Sequence, residues 1–106
     1  MAKYLISESY SSDGVKGVLK GGGTARVDAV RTMIEGLGGK LESFYFAFGS
    51  VDVYATADLP DNVTAAAIGL AVSSSGLTAA STTVLLTPEE IDRAAQLQVA
   101  YTPPGK

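Results

Sequence analysis

The sequence predicts an α+β fold built around one four-stranded antiparallel sheet. Four segments rich in β-branched or aromatic residues alternate in polarity, as strands do. Helical segments lie between the first and second strand and between the third and fourth. A Gly-Ser pair, Gly49-Ser50, joins the second strand to the third and predicts a hairpin. With 106 residues, 46% of them hydrophobic, the chain is long enough to bury the core of one domain.

The first strand and the two helical segments after it are predicted over residues 4–39. In the strand, Tyr4, Ile6, Glu8 and Tyr10 share one face. The sequence Ser-Ser-Asp-Gly at 11–14 offers side-chain oxygens that can cap a first helix. A glycine triplet at 21–23 interrupts it, and a second helix with an apolar stripe follows until the glycine pair at 38–39.

The hairpin is predicted to have arms over residues 40–48 and 51–58. Strict alternation along the first arm places its three phenylalanines on one face and Tyr45 on the other, pointing towards the helices. In the second arm the apolar positions alternate with polar or mixed ones and are expected to face the helices. These positions are Val51, Val53, Ala55 and Ala57.

The last third of the chain predicts a helix, a strand and a further helix. Asp61 caps an alanine-rich helix over residues 62–74, and a strand follows over 77–86. Thr87-Pro88-Glu89-Glu90 is typical of a helix start, with a capping box and a proline at the first helical position, and this helix is expected to end near Gln98. We therefore expect one domain over residues 1–98 and a C-terminal tail over 99–106.

The order β-α-β-β-α-β with a C-terminal helix describes the ferredoxin-like split βαβ arrangement, with helices on one face of the sheet. The other face is expected to hold several aromatic side chains, which are too apolar to leave in water. These are some of Tyr10, Phe44, Phe46, Phe48 and Tyr54. The sequence thus predicts that two copies pack sheet on sheet as a dimeric α/β barrel.

The composition excludes several classes of chemistry. The chain has no cysteine and no histidine, so thiol catalysis, structural zinc, His-ligated haem and disulfides are ruled out. The net charge is −3 and the eight basic residues are scattered, which argues against nucleic acid as a partner. No apolar stretch is long enough to cross a membrane. We expect a cytoplasmic protein without cofactor or metal, which associates with itself as a homodimer or a higher even-numbered oligomer and can bind a small-molecule ligand.

Five short motifs stand out along the chain: Lys3-Tyr4-Leu5, Gly14-Val15-Lys16-Gly17, Leu37-Gly38-Gly39-Lys40-Leu41-Glu42, Phe48-Gly49-Ser50-Val51-Asp52-Val53 and Leu59-Pro60-Asp61. As a set they resemble motifs of the GYD domain family of small bacterial proteins. The resemblance covers roughly residues 3–94 and implies a ferredoxin-like fold and a dimeric barrel, but no function. Val51 stands where the family has the tyrosine of its name, so a role for that phenol is not expected here.

Asp52 is the best candidate for a catalytic residue, and two interpretations of it stay open. It can organise the start of a strand, or it can serve as a base if burial raises its pKa. Asp52 is also a candidate ligand-binding residue, together with Tyr10, Tyr45 and Tyr54. The tyrosines are likewise open to two interpretations, as core or interface residues and as hydrogen-bonding phenols. The glycine triplet lacks the spacing of a phosphate loop, and the acidic residues lack that of a calcium site.

Three functions remain compatible with the sequence. The first is a homo-oligomeric module that binds a small apolar or aromatic metabolite in an accessory or regulatory role. The second is a cofactor-independent monooxygenase or isomerase that uses Asp52 as its base and tyrosines to orient the substrate. The third is a purely structural assembly protein whose barrel is packed solid.

Overall fold

The computed structural model describes all residues, Met1–Lys106, and has four strands and four helices. They are β1 (Ala2–Tyr10), α1 (Ser12–Gly21), α2 (Gly23–Gly36), β2 (Lys40–Phe46), β3 (Val53–Leu59), α3 (Asn62–Ser74), β4 (Thr78–Leu85) and α4 (Pro88–Ala95). The strands form one antiparallel sheet in the order β2-β3-β1-β4. The predicted α+β class and four-stranded antiparallel sheet are confirmed. None of the helices has the length and apolar character needed to span a membrane.

The core lies between the sheet and the helices α2 and α3. Because side chains alternate along a strand, the apolar positions of β1 and β3 project together towards the helices. The predicted inward positions Val53, Ala55 and Ala57 are buried, which confirms the orientation of the second hairpin arm. The buried apolar residues are Tyr4, Ile6, Val30, Ile34, Val53, Ala55, Ala57, Leu59, Ala65 and Ile68.

A β-bulge in β2 reverses the predicted orientation of its aromatic side chains. Leu41 pairs with Ala57 and Ser43 with Thr56, so Glu42 is an extra residue in the strand. After the bulge, the register places the side chains of Phe44 and Phe46 on the helix side and that of Tyr45 on the open side. The predictions that the phenylalanines point away from the helices and that Tyr45 points towards them are therefore wrong.

The side of the sheet without helices, which we call the open face, carries fewer aromatic side chains than predicted. It carries Leu5, Ser7, Tyr45, Tyr54, Thr56 and Leu85. Tyr45 and Tyr54 are direct cross-strand partners, exposed at 71% and 43%. Tyr10 shares the inward parity of Tyr4 and Ile6, and Phe48 lies fully exposed beyond the end of β2. Of the five aromatic residues considered for this face, only Tyr54 lies on it.

The start of α1 is fixed against the start of β4. Ser11 caps the helix by accepting a hydrogen bond from the backbone N–H of Gly14 at 3.2 Å, and its own N–H donates to the carbonyl of Leu77 at 2.9 Å. A Cβ at Gly14 would lie 2.2 Å from that same carbonyl oxygen. Glycine is therefore required here so that the helix can approach β4 closely. Gly17, one turn later, faces open space.

The C-terminal part of the chain projects from the rest of the molecule. The predicted capping box of α4 is present, but the helix ends at Ala95 rather than near Gln98, and no residue in it is buried. The radius of gyration is 17.0 Å, against about 13 Å for a compact chain of this length. The long axis of the molecule measures 57 Å.

Substitution of two glycines in α1 tests this packing. We expect Gly14→Ala to lower the free energy of unfolding by about 1–3 kcal/mol, because the new methyl group must displace a backbone carbonyl. Gly17→Ala should raise it by about 0.5–1 kcal/mol, because alanine favours the helix and meets no neighbour. Urea unfolding of both variants measures the difference. Equal effects would contradict the close approach at Gly14.

Candidate functional site

A cleft of about 310 Å³ lies between α1, α2 and the start of β4. One wall is nearly free of side chains because Gly14, Gly17 and Gly21 of α1 face it. Tyr10, at the end of β1, and Arg26, in the first turns of α2, supply its aromatic and charged surface. The helix-breaking glycines thus leave a hollow that larger residues would fill.

Arg26 also borders a second hollow, of about 250 Å³, on the side of α3. This second hollow is lined by apolar residues of α2 and α3, such as Met33 and Val72, and by Leu77 and Thr78, which also line the cleft. The Arg26 side chain therefore lies between two adjoining spaces. A movement of this flexible side chain would connect them.

Three buried polar atoms in or near the cleft have no hydrogen-bond partner. They are Oε2 of Glu8, the hydroxyl of Tyr10 and Nε of Arg26, all shielded from solvent. Tyr10 and Arg26 line the cleft, whereas Glu8 does not. Glu8 is only 5% exposed and occupies an inward position of β1 between Ile6 and Tyr10. Buried polar atoms are nearly always hydrogen-bonded in folded proteins. Such a cluster is consequently a place where a bound molecule would supply the missing partners.

The buried position changes the protonation of two of these groups. Burial raises the pKa of the Glu8 carboxyl above its usual value, and the positive charge of Arg26 opposes this only in part. Burial also raises the pKa of the Tyr10 phenol; the nearby Arg26 guanidinium acts in the opposite direction, although no well-formed hydrogen bond joins the two. At neutral pH the phenol is therefore a hydrogen-bond donor as well as an acceptor.

The comparison with known proteins gives the family. A model of the GYD domain matches residues 4–95 of the chain. The protein belongs to the GYD domain family. No curated protein and no solved structure matches it.

In this GYD domain, Asp52 lies outside the cleft and is engaged with the backbone. Its Oδ2 accepts a hydrogen bond from the N–H of Tyr10 at 2.8 Å, and its own N–H donates to the carbonyl of Glu8 at 2.9 Å. Its carbonyl accepts from the N–H of Ala47 at 2.8 Å. Asp52 therefore ties the connection between β2 and β3 to the end of β1, and so holds Tyr10 at the edge of the cleft.

The predicted ligand-binding tyrosines do not lie together in this GYD domain. Tyr10 lines the cleft on the helix side, whereas Tyr45 and Tyr54 lie side by side on the open face. No group of three or more carboxylates is arranged to hold a metal ion.

Sequence reasoning did not place Glu8 or Arg26 in a site, although both left a signal. Glu8 stands at a core position between Ile6 and Tyr10, where a carboxylate is unexpected. Arg26 stands three residues after the last glycine of the triplet, in the helix whose apolar stripe faces the core. The signal that identifies the cluster is the charge of Glu8 on the inward side of β1, close in the fold to the opposite charge of Arg26.

We expect Glu8→Gln to stabilise the protein by about 1 kcal/mol at pH 7, because the amide avoids the cost of burying a charge. Folding raises the Glu8 pKa, so the folded state holds the proton more tightly than the unfolded chain does. The stability of the protein therefore falls as the pH rises from the pKa of the unfolded chain to the higher pKa of the folded state. The advantage of the variant should therefore disappear near pH 4, where the carboxyl is protonated in both states.

The measurement is urea unfolding at pH 4 and pH 7, with Glu35→Gln as the control, because Glu35 is exposed on α2. A pH-independent effect of Glu8→Gln, or an equal one for Glu35→Gln, would contradict a buried carboxyl with a raised pKa.

Proposed function

We propose that this GYD domain is a homo-oligomeric module that binds a small apolar or aromatic metabolite in an accessory or regulatory role. The observation that carries the proposal is the cleft beside α1, at whose base the Tyr10 hydroxyl and Arg26 Nε have no partner within the protein. Its volume lies at the lower end of the range of about 300–1,000 Å³ that ligand pockets occupy.

The chemistry of the cleft favours a flat ligand with one oxygen acceptor. The glycine wall allows a ring to approach the backbone of α1, and the Tyr10 ring offers a stacking surface. A carbonyl, carboxylate or phenolic oxygen would accept hydrogen bonds from Arg26 Nε–H and from the Tyr10 hydroxyl. Both donors would then be satisfied, which compensates the cost of burying them.

A cofactor-independent monooxygenase or isomerase is the second candidate. The observation that favours it is the buried Glu8 carboxyl, whose raised pKa suits a general base. Asp52 is less suited to that role than the sequence suggested, because one of its carboxylate oxygens accepts a hydrogen bond from the backbone N–H of Tyr10. The purely structural alternative requires a solidly packed chain, and the cleft provides no support for it.

The oligomer is proposed to form through the open face. The order of the elements and of the strands supports a ferredoxin-like arrangement, and sheet-on-sheet packing of two copies would close a barrel. The Tyr45–Tyr54 pair lies on this face, with Thr56 two residues further along β3 and Leu5 on the neighbouring strand β1 beside it. Tyrosines of this kind commonly anchor protein interfaces because they combine a large apolar ring with a polar end.

The fluorophore 1-anilinonaphthalene-8-sulfonate, which combines aromatic rings with an anionic group, tests the cleft. We expect it to bind the purified protein, and Gly17→Leu to weaken that binding at least tenfold, because the leucine side chain would occupy the cleft. Arg26→Gln should also weaken binding, since it removes the positive charge. Fluorescence titration gives both dissociation constants.

Gly36→Leu serves as the matched control, because Gly36 is also a helical glycine with open space around it and lies away from the cleft. If Gly17→Leu binds the fluorophore as tightly as the control does, the cleft is not the binding site. Glu8→Gln separates the two candidate functions, because it should preserve binding and abolish any turnover that depends on a base.

The double substitution Tyr45→Lys with Tyr54→Lys tests the open face. We expect it to halve the mass of the assembly and to leave the chain folded, because two desolvated cations would oppose each other across the interface. Sedimentation equilibrium gives the mass and circular dichroism gives the folding. Leu19→Lys, at an exposed position on α1, is the control. A double variant whose assembly has an unchanged mass would place the interface elsewhere.

A further inference from the structure

The last segment of the chain, residues 87–106, which we call the arm, leaves its apolar side chains in water. Every residue from 91 to 106 is exposed. Ile91 is 51% exposed in α4, and Leu97, Val99 and Tyr101 beyond it are 70% exposed or more. One side of α4 is apolar, because Pro88, Ile91, Ala94 and Ala95 fall within about a third of a helical turn from one another. The arm has the character of a segment that packs against another surface.

The length of α4 supports the same conclusion. The helix has eight residues, and isolated helices shorter than about 12 residues are marginal in water. Its capping box is complete, since Glu90 N–H donates to the Thr87 hydroxyl at 3.1 Å and Thr87 N–H donates to the Glu90 carboxylate at 2.9 Å. The helix start is thus well defined, but the stabilising tertiary contact is missing from the single chain.

A groove of about 500 Å³ between α3 and β4 is left uncovered in the helix layer. Its floor consists of Ala80, Thr82 and Val84, the positions of the edge strand β4 that pair with the inward residues of β1. Leu70 of α3 forms part of its wall and is 74% exposed, while Val84 is 50% exposed. This groove is a half-formed packing site for a helix.

The groove differs from the cleft in that none of its buried polar side-chain atoms lacks a partner. The Tyr4 hydroxyl donates to the Asn62 side-chain oxygen at 2.6 Å. A small polar ligand would therefore find little to recognise. An apolar helix face needs only surface to cover, which the groove provides.

The dimensions of α4 and the groove agree. Eight helical residues span about 12 Å, and the strand from Ala80 to Val84 spans about 13 Å. Ile91 would lie near Leu70 when the apolar side of α4 faces the floor. The arm and the ten residues that line the groove together come to about the 20–30 residues that each partner contributes to a stable interface.

The arm does not reach the groove of its own chain. Leu86 and Thr87 alone join β4 to α4, and both the backbone N–H and the hydroxyl of Thr87 are used in the capping box. No residue of α4 is buried, so the helix is not packed into the groove of its own chain. An unpacked arm of this kind is accessible to another molecule.

We propose that two copies of this chain exchange their arms, so that α4 of each packs into the groove between α3 and β4 of the other. The exchange buries Ile91 against Leu70 and Val84 and covers the exposed edge of the helix layer. It does not depend on ligand binding in the cleft, and it involves surfaces other than the open face.

The absence of cysteine from the chain permits a direct test by disulfide trapping. One full-length chain carries Ile91→Cys. A second full-length chain carries Leu70→Cys and a tag that gives it a different mass. The two chains are co-expressed and then oxidised with copper phenanthroline. Both positions are exposed, so the variants should fold. We expect the mixed disulfide to form at least tenfold faster than the one between Ile91→Cys and Leu19→Cys, where Leu19 is an equally exposed residue on α1. Non-reducing electrophoresis and mass spectrometry measure the products.

Each alternative has its own result. A chain carrying both Ile91→Cys and Leu70→Cys that closes into a monomeric ring would show that the arm folds back on its own groove, which overturns the exchange. Equal rates for the Leu70→Cys and Leu19→Cys pairs would show random collision, which also overturns it. The Tyr45→Lys, Tyr54→Lys double variant is expected to retain the trapped pair, and loss of the pair would contradict an exchange that is independent of the open face.

Discussion

The inward row of β1 is the constraint on which the rest of the structure depends. β1 is hydrogen-bonded on both sides, to β3 and to β4, so its position fixes both halves of the sheet. Tyr4 and Ile6 in this row fill the core, and Glu8 and Tyr10 continue it beyond the region that the helices cover with apolar side chains. The side chains on one face of a single strand therefore belong to the core at one end and to the candidate site at the other.

The elements of the fold were largely predictable from local signals. The helix Asn62–Ser74 was predicted to the residue because Asp61 and Gly76 mark its ends, and the capping box of α4 was equally explicit. The direction of the side chains of β2 was not predictable, because nothing in the local composition distinguishes the extra residue Glu42 from an ordinary strand residue. The ion pair of Glu42 with Lys3, which accompanies the bulge, joins residues far apart in the chain.

The candidate site was predicted less well for a related reason. Asp52 and the three tyrosines were chosen for their chemistry in a stretch of sequence, whereas the structure groups residues by the face on which they lie. Tyr10 lies in the cleft, but its neighbours Glu8 and Arg26 were not predicted as site residues, because Glu8 occupies a core position and Arg26 lies in the helix after a glycine-rich break. Glu8, a charged residue among apolar ones on the inward side of β1, was a better indicator of the site than Asp52, a polar residue beside a turn.

The bulge at Glu42 also has a consequence for comparing members of this family. Removal of one residue from the connection between β2 and β3 would shorten an exposed loop, whereas removal of Glu42 would take out the bulge and leave Phe44, Tyr45 and Phe46 paired and facing as they are. An alignment that shifts a gap by a few positions between these two places would thus assign the aromatic residues of the second strand to the wrong side of the sheet. The location of insertions and deletions around residue 42, more than sequence identity along the strand, indicates which relatives share this surface.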